Sequence, residues 1–139
     1  MLSEPGERTT TMEEQRQKIK NILSQSNQII LVAEHKNQLI GYLGAYGGNF
    51  LRNCHSVYLV VGILQAYTGQ GIGTQLFEAL EEWALTKNIH RLELTVIALN
   101  ERAIHLYQKM GFEIEGIKKD SLKINGKYVN EYYMAKILS

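Results

Sequence analysis

Three glycines spaced two apart stand in the stretch Tyr67-Thr68-Gly69-Gln70-Gly71-Ile72-Gly73-Thr74, between a β-like run and an amphipathic one. Without side chains, successive backbone N–H groups there can close around an anion. A helix beginning at the same point adds the positive end of its dipole. The chemistry this suits is phosphate binding, although the same residues also suit a plain turn after a strand. Two other nucleotide loops fit poorly. A dinucleotide site requires G-x-G-x-x-G, and Thr74 stands where the third glycine belongs, while a Walker loop requires a Gly-Lys-Ser/Thr run that is absent. His35, His55, His90 and His105 fall at no metal-ligand spacing such as H-E-x-x-H, and Cys54 has no second cysteine to assist, so no metal is expected.

The elements that position this loop can be read from periodicity. Cys54 to Leu64 carries Val57, Leu59, Val60, Val61 and Ile63 and reads as the strand entering the loop. From Gly73 to Lys87 the period changes: Leu76, Phe77, Leu80, Trp83 and Ala84 share one helical face, with Glu78, Glu81 and Glu82 opposite. Arg91 to Val96 returns to alternation. Asn100 then caps a second amphipathic helix with Ala103, Ile104, Tyr107 and Met110, stopped by Gly111. Before this centre, Gln28 to Glu34 and Leu39 to Tyr46 flank a polar break and read as a hairpin; after it, two β-like runs flank Asn125-Gly126, a strong hairpin signal. Thr10-Thr11-Met12-Glu13-Glu14 reads as a helix start, and Ile19, Ile22 and Leu23 give that helix an apolar stripe ending before Asn27.

With 139 residues, 45% hydrophobic and 21% charged, the chain fits one domain over 12–139 behind a loose segment at 1–11. A net charge of +1 with interspersed signs gives no field to hold nucleic acid or an anionic membrane. No apolar run approaches the length of a membrane span, no signal peptide opens the chain, and the lone Cys54 rules out an intrachain disulfide; a cytoplasmic protein is expected.

Gly69-Gln-Gly71-Ile-Gly73 after a strand resembles the acetyl-CoA pyrophosphate loop of GNAT acetyltransferases. Asn100-Glu-Arg-Ala-Ile-His-Leu-Tyr107-Gln-Lys-Met-Gly111-Phe112 is similar to their second signature, and the likeness covers about Gln28 to Leu138. It implies an α/β (α+β) fold: a mixed, mainly antiparallel sheet flanked by helices, its two central strands diverging to admit the cofactor. It implies acetyl-CoA as cosubstrate, an amine acceptor (amino acid, peptide or protein N-terminus, or another small amine), and a possible homodimer. Ile63 and Leu64 would offer free backbone groups to the pantetheine arm and an N–H to the thioester oxygen. Gly69, Gly71, Ile72, Gly73 and Thr74 would hold the phosphates. Lys118, Lys119, Lys123 and Lys127 read as a solvated hairpin, or as an attraction for an acidic acceptor or a CoA phosphate. Asn100 would hydrogen-bond pantetheine amides or serve as a plain N-cap. Tyr107 would protonate the departing thiolate, as a phenol of pKa about 10 can, or belong to the core.

Two departures stand out. Thr68 occupies a position where the family usually has Arg or Gln, so one side-chain contact near the phosphates is missing. Too few residues precede Thr10 to supply the strand and helix with which family members begin. The central strand carries no glutamate to act as general base, leaving Glu34, Glu93 and His55 as candidates, each also readable as a solvated strand residue. An α-amine of pKa near 8 needs less help than a lysine near 10.4, which favours an α-amino acceptor. The alternative is an acyl-CoA-binding module without turnover.

Overall fold

The computed structural model describes residues 18–24 and 26–138. Alternation of side chains sets the strands: in the central segments Val57, Leu59, Leu92, Leu94 and Val96 are buried, while the intervening Tyr58 and Val60 are exposed. The strands are β1 (Lys18–Ser24), β2 (Gln28–His35), β3 (Gln38–Gly47), β4 (Ser56–Ile63), β5 (Arg91–Ile97), β6 (Glu113–Ile124) and β7 (Lys127–Ile137). They form one sheet in the order β1-β2-β3-β4-β5-β7-β6, antiparallel throughout except between β4 and β5. The two hairpins expected from turn chemistry are present. Lys36 and Asn37 lie at φ 52° and 63°, and Asn125 and Gly126 at 51° and 78°, the left-handed pair that a two-residue turn between twisted strands requires.

The N-terminal helix suggested by Ile19, Ile22 and Leu23 is not found where the chain is described. Lys18–Ser24 is an edge strand, paired antiparallel with β2; the rest of that expected helix, and the loose segment at 1–11, lie outside the described residues. The pairing is irregular between Asn21 and Leu23, and Ile22 is 60% exposed. An inserted residue of this kind breaks two-residue alternation and leaves apolar residues at i, i+3 and i+4, the spacing of a helix.

Two helices lie beside the sheet, α1 (Ile72–Thr86) and α2 (Glu101–Lys109), with a single 3₁₀ turn at Gln65–Tyr67. Leu76, Phe77 and Leu80 of α1 are fully buried, each worth about 1.5–3 kcal/mol relative to exposure. Both helices feed one core: Phe77 meets Tyr107 of α2 edge-on at 5.7 Å and Phe112 at 5.5 Å. Lys136 of β7 links the body of α1 to the end of α2, donating to Glu81 at 2.5 Å and to the Met110 carbonyl at 2.7 Å. No helix among the described residues is long and apolar enough to cross a membrane.

The parallel pair is short. β4 and β5 are in register only at Ser56↔Arg91, Val57↔Leu92 and Tyr58↔Glu93; beyond Tyr58 the strands part, while β4 stays paired with β3 as far as Gly41↔Ile63.

Candidate active site

The parted strands expose backbone. Leu64 donates its N–H to the Ile40 carbonyl at 2.9 Å, so even-numbered residues at this end of β4 face β3. Because strand residues alternate in the direction of their N–H and C=O, Val61 and Ile63 present theirs to the side that β5 has left. Leu64, expected among the cofactor contacts, is therefore not brought in: its N–H is committed to Ile40 and its side chain is 46% exposed. A cavity of about 440 Å³ opens beside this edge, walled by Val61, Ile63, Gly69, Gly71 to Thr74, Asn100, Leu106 and Tyr107.

The glycine loop forms one end of it. Gly69 and Gly71 lie at φ 79° and 81°, in the left-handed region, and a Cβ on either would meet nothing within 4 Å. Their need for glycine is thus conformational. Gly71 is the N-cap of α1 and has no side chain to satisfy the first N–H groups, and no acidic residue lies in the first turn. These donors and the dipole end are available to an anion. Gly73 has a different reason: a Cβ there would lie 2.5 Å from Leu106 Cδ2, so glycine lets α1 and α2 approach.

Asn100 and Tyr107 face the same space from α2. Asn100 accepts from the Ala103 N–H at 3.1 Å through Oδ1, which commits its oxygen to the helix cap and leaves its NH₂ for a carbonyl acceptor. Tyr107 is 8% exposed, and burial raises its pKa above the ordinary phenol value. It stays protonated at neutral pH, ready to donate.

The residues matched by the model of the acetyltransferase (GNAT) family are 2–112. The chain belongs to the GNAT family of acetyltransferases. It is 32% identical over 111 residues to the L-amino acid N-acetyltransferase AaaT of Escherichia coli, covering 77% of this chain and 67% of that enzyme. It is 38% identical over 69 residues to an Escherichia coli spermidine N(1)-acetyltransferase, of which it spans only 37%. The fold matches a GNAT-family acetyltransferase from Streptococcus pneumoniae with a TM-score of 0.80 at 33% identity, over 99% of this chain and 79% of that one. It also matches YncA of Salmonella typhimurium, solved with its cofactor acetyl-CoA, with a TM-score of 0.74 at 21% identity, over 81% of this chain and 65% of that one.

None of the three candidate bases lines the cavity. Glu34 is paired with Lys20 at 3.0 Å. Glu93 accepts from Arg91 at 3.0 and 3.1 Å, and Arg91 also grips Glu115, whose carboxyl it holds below the usual carboxylate range. His55 sits beside His90, at the end of the sheet where β4 and β5 remain paired. The lysines 118, 119, 123 and 127 are exposed on the β6–β7 hairpin, with Lys123 over the Tyr128 ring. Among the described residues no cluster of three or more His, Cys, Asp or Glu could hold a metal.

One contact was not legible in the sequence: Arg102 Nη1 donates to Thr68 Oγ1, whose own hydroxyl reaches the Gln65 carbonyl at 2.9 Å. The Arg102-Ala103 pair was visible as part of a signature, but only the packing of α2 against the loop shows which way Arg102 turns.

Proposed function

We propose that the cavity takes acetyl-CoA with its pyrophosphate on Gly69 to Thr74, its pantetheine arm along the freed edge of β4 and its thioester beside Tyr107, and that the acetyl group passes directly to a primary amine. The observation that carries this reading is the coincidence of two unsatisfied backbone arrays on one cavity: the N–H groups starting α1, and the N–H and C=O groups of Val61 and Ile63. A ligand with an anionic end and an amide-rich arm satisfies both.

The amine nitrogen attacks the thioester carbon, and charge gathers on the carbonyl oxygen, where a backbone N–H of Val61 or Ile63 is placed to receive it. As the C–S bond breaks, Tyr107 gives its proton to sulfur, the attacking nitrogen loses one to solvent, and solvent returns one to the Tyr107 phenolate. With Glu34 and Glu93 held by cations and away from the cavity, the acceptor must arrive largely deprotonated. That favours an α-amine of pKa near 8 over a lysine near 10.4, in keeping with the amino-acid acceptor in the name of the AaaT relative.

The rival reading is a module that binds acyl-CoA without turnover. Free CoA thiol measured while amino acids, peptides and polyamines are added in turn separates the two. The proposal predicts amine-dependent release of thiol, strongest with an α-amino acceptor; binding of acetyl-CoA with no acceleration by any amine would establish the rival.

A further inference from the structure

Arg102 stands in the first turn of α2, directly after Glu101. A cation there opposes the helix dipole, so the position is not one that helix stability selects. Among the described residues no carboxylate lies within ion-pair distance of it. Its described side-chain partner is instead a neutral hydroxyl, that of Thr68, and a guanidinium carries five N–H donors. Arg102 also lines the same cavity as Gly69, Gly71 and the start of α1. An exposed guanidinium is thus anchored by one nitrogen beside a helix N-terminus without a side-chain cap, its remaining donors unpaired among the described residues.

We infer that Arg102 is a further binding residue for the donor: it holds the pyrophosphate of acetyl-CoA from across the cavity, in place of a basic side chain at position 68. The inference rests on the acetyl-CoA reading above and adds to it the cation that the loop itself lacks. Thr68 is the hinge of the arrangement. Its hydroxyl bonds back to Gln65 and receives Arg102, holding the guanidinium toward the loop. Planar guanidinium pairs well with phosphate oxygens, and a charge-assisted contact of this kind is among the stronger ones.

The test compares ligands with and without phosphate. Calorimetric titration of acetyl-CoA, with S-acetylpantetheine measured by competition, is carried out on wild type, Arg102→Gln, and the double variant Thr68→Arg with Arg102→Gln. The expected result is that Arg102→Gln weakens acetyl-CoA by about tenfold to a hundredfold, leaves S-acetylpantetheine unchanged, and loses salt sensitivity. The double variant, which returns the charge from the other side, regains most of the affinity. If Arg102 only braces the Thr68 turn, both ligands weaken in proportion and the double variant stays weak, which overturns the assignment. Wild-type affinity for acetyl-CoA in Arg102→Gln overturns it alone. A wild-type protein that takes no acetyl-CoA overturns the acetyltransferase reading and this assignment together.

Discussion

Replacing Tyr107 with phenylalanine removes one hydroxyl from a ring that is 8% exposed and packed against Phe77 at 5.7 Å and Phe112 at 6.1 Å. Ring volume and both aromatic contacts survive, so the change in stability should stay within about 1 kcal/mol, a melting shift of at most roughly 2–8 °C. Chemistry should respond far more. A positioned general acid contributes on the order of 10² to 10⁴ in rate, while acetyl-CoA affinity, assigned above to the loop, Asn100 and the β4 edge, should barely move. The pH dependence follows from burial, which raises the phenol pKa. A raised folded-state pKa favours the protonated form, so the associated stability is fully present below the unfolded value of about 10 and is lost as pH rises through the folded value. Wild type should therefore show an alkaline loss of rate above about pH 10 that the phenylalanine variant lacks. Single-turnover thiol release with an amino-acid acceptor is the appropriate assay, because slow product release would hide a chemical defect in kcat. Wild-type-like single-turnover rates in Tyr107→Phe would remove the hydroxyl from the mechanism and leave the residue in the core alone.

Two further substitutions separate packing from ligand contact. Gly73→Ala adds a methyl 2.5 Å from Leu106 Cδ2 and should cost about 1–3 kcal/mol of overpacking, offset by about 1 kcal/mol of helix propensity; combined with Leu106→Ala the clash term should vanish in a double-mutant cycle of melting curves, and strict additivity would show that the helices do not meet there. Asn100→Ser retains an oxygen able to cap Ala103 but removes the NH₂, so denaturant midpoints should hold while acetyl-CoA affinity falls severalfold; unchanged affinity would reduce Asn100 to a cap.

Much of this architecture is local and so readable from the chain. Asn125-Gly126 demands a hairpin whatever surrounds it, and the apolar face of Leu76, Phe77, Leu80, Trp83 and Ala84 can only be a helix on a core. What escaped reading depends on partners. Ile19, Ile22 and Leu23 carry a helical spacing, yet Lys18–Ser24 is a strand because an irregular pairing with β2 absorbs one residue. Likewise, Ile63 and Leu64 are equivalent in sequence, and only the register with β3 decides that Leu64 spends its N–H on Ile40 while Ile63 faces the gap. Thr68 carries no charge of its own, and only the packing of α2 brings the Arg102 guanidinium to its hydroxyl.

The claim on which everything else depends is that the glycine loop and the start of α1 hold the phosphates of acetyl-CoA. Calorimetric titration of acetyl-CoA into wild type and Gly71→Val tests it most directly, since Gly71 caps α1 at φ 81° with open space around its Cα. A β-branched side chain there strains the left-handed backbone by about 1–2 kcal/mol and fills the space a phosphate would need. Wild type should show one saturable site, and Gly71→Val should lose affinity well beyond its loss of stability. Equal affinities in the two proteins, or no heat of binding in wild type at millimolar acetyl-CoA, would contradict it.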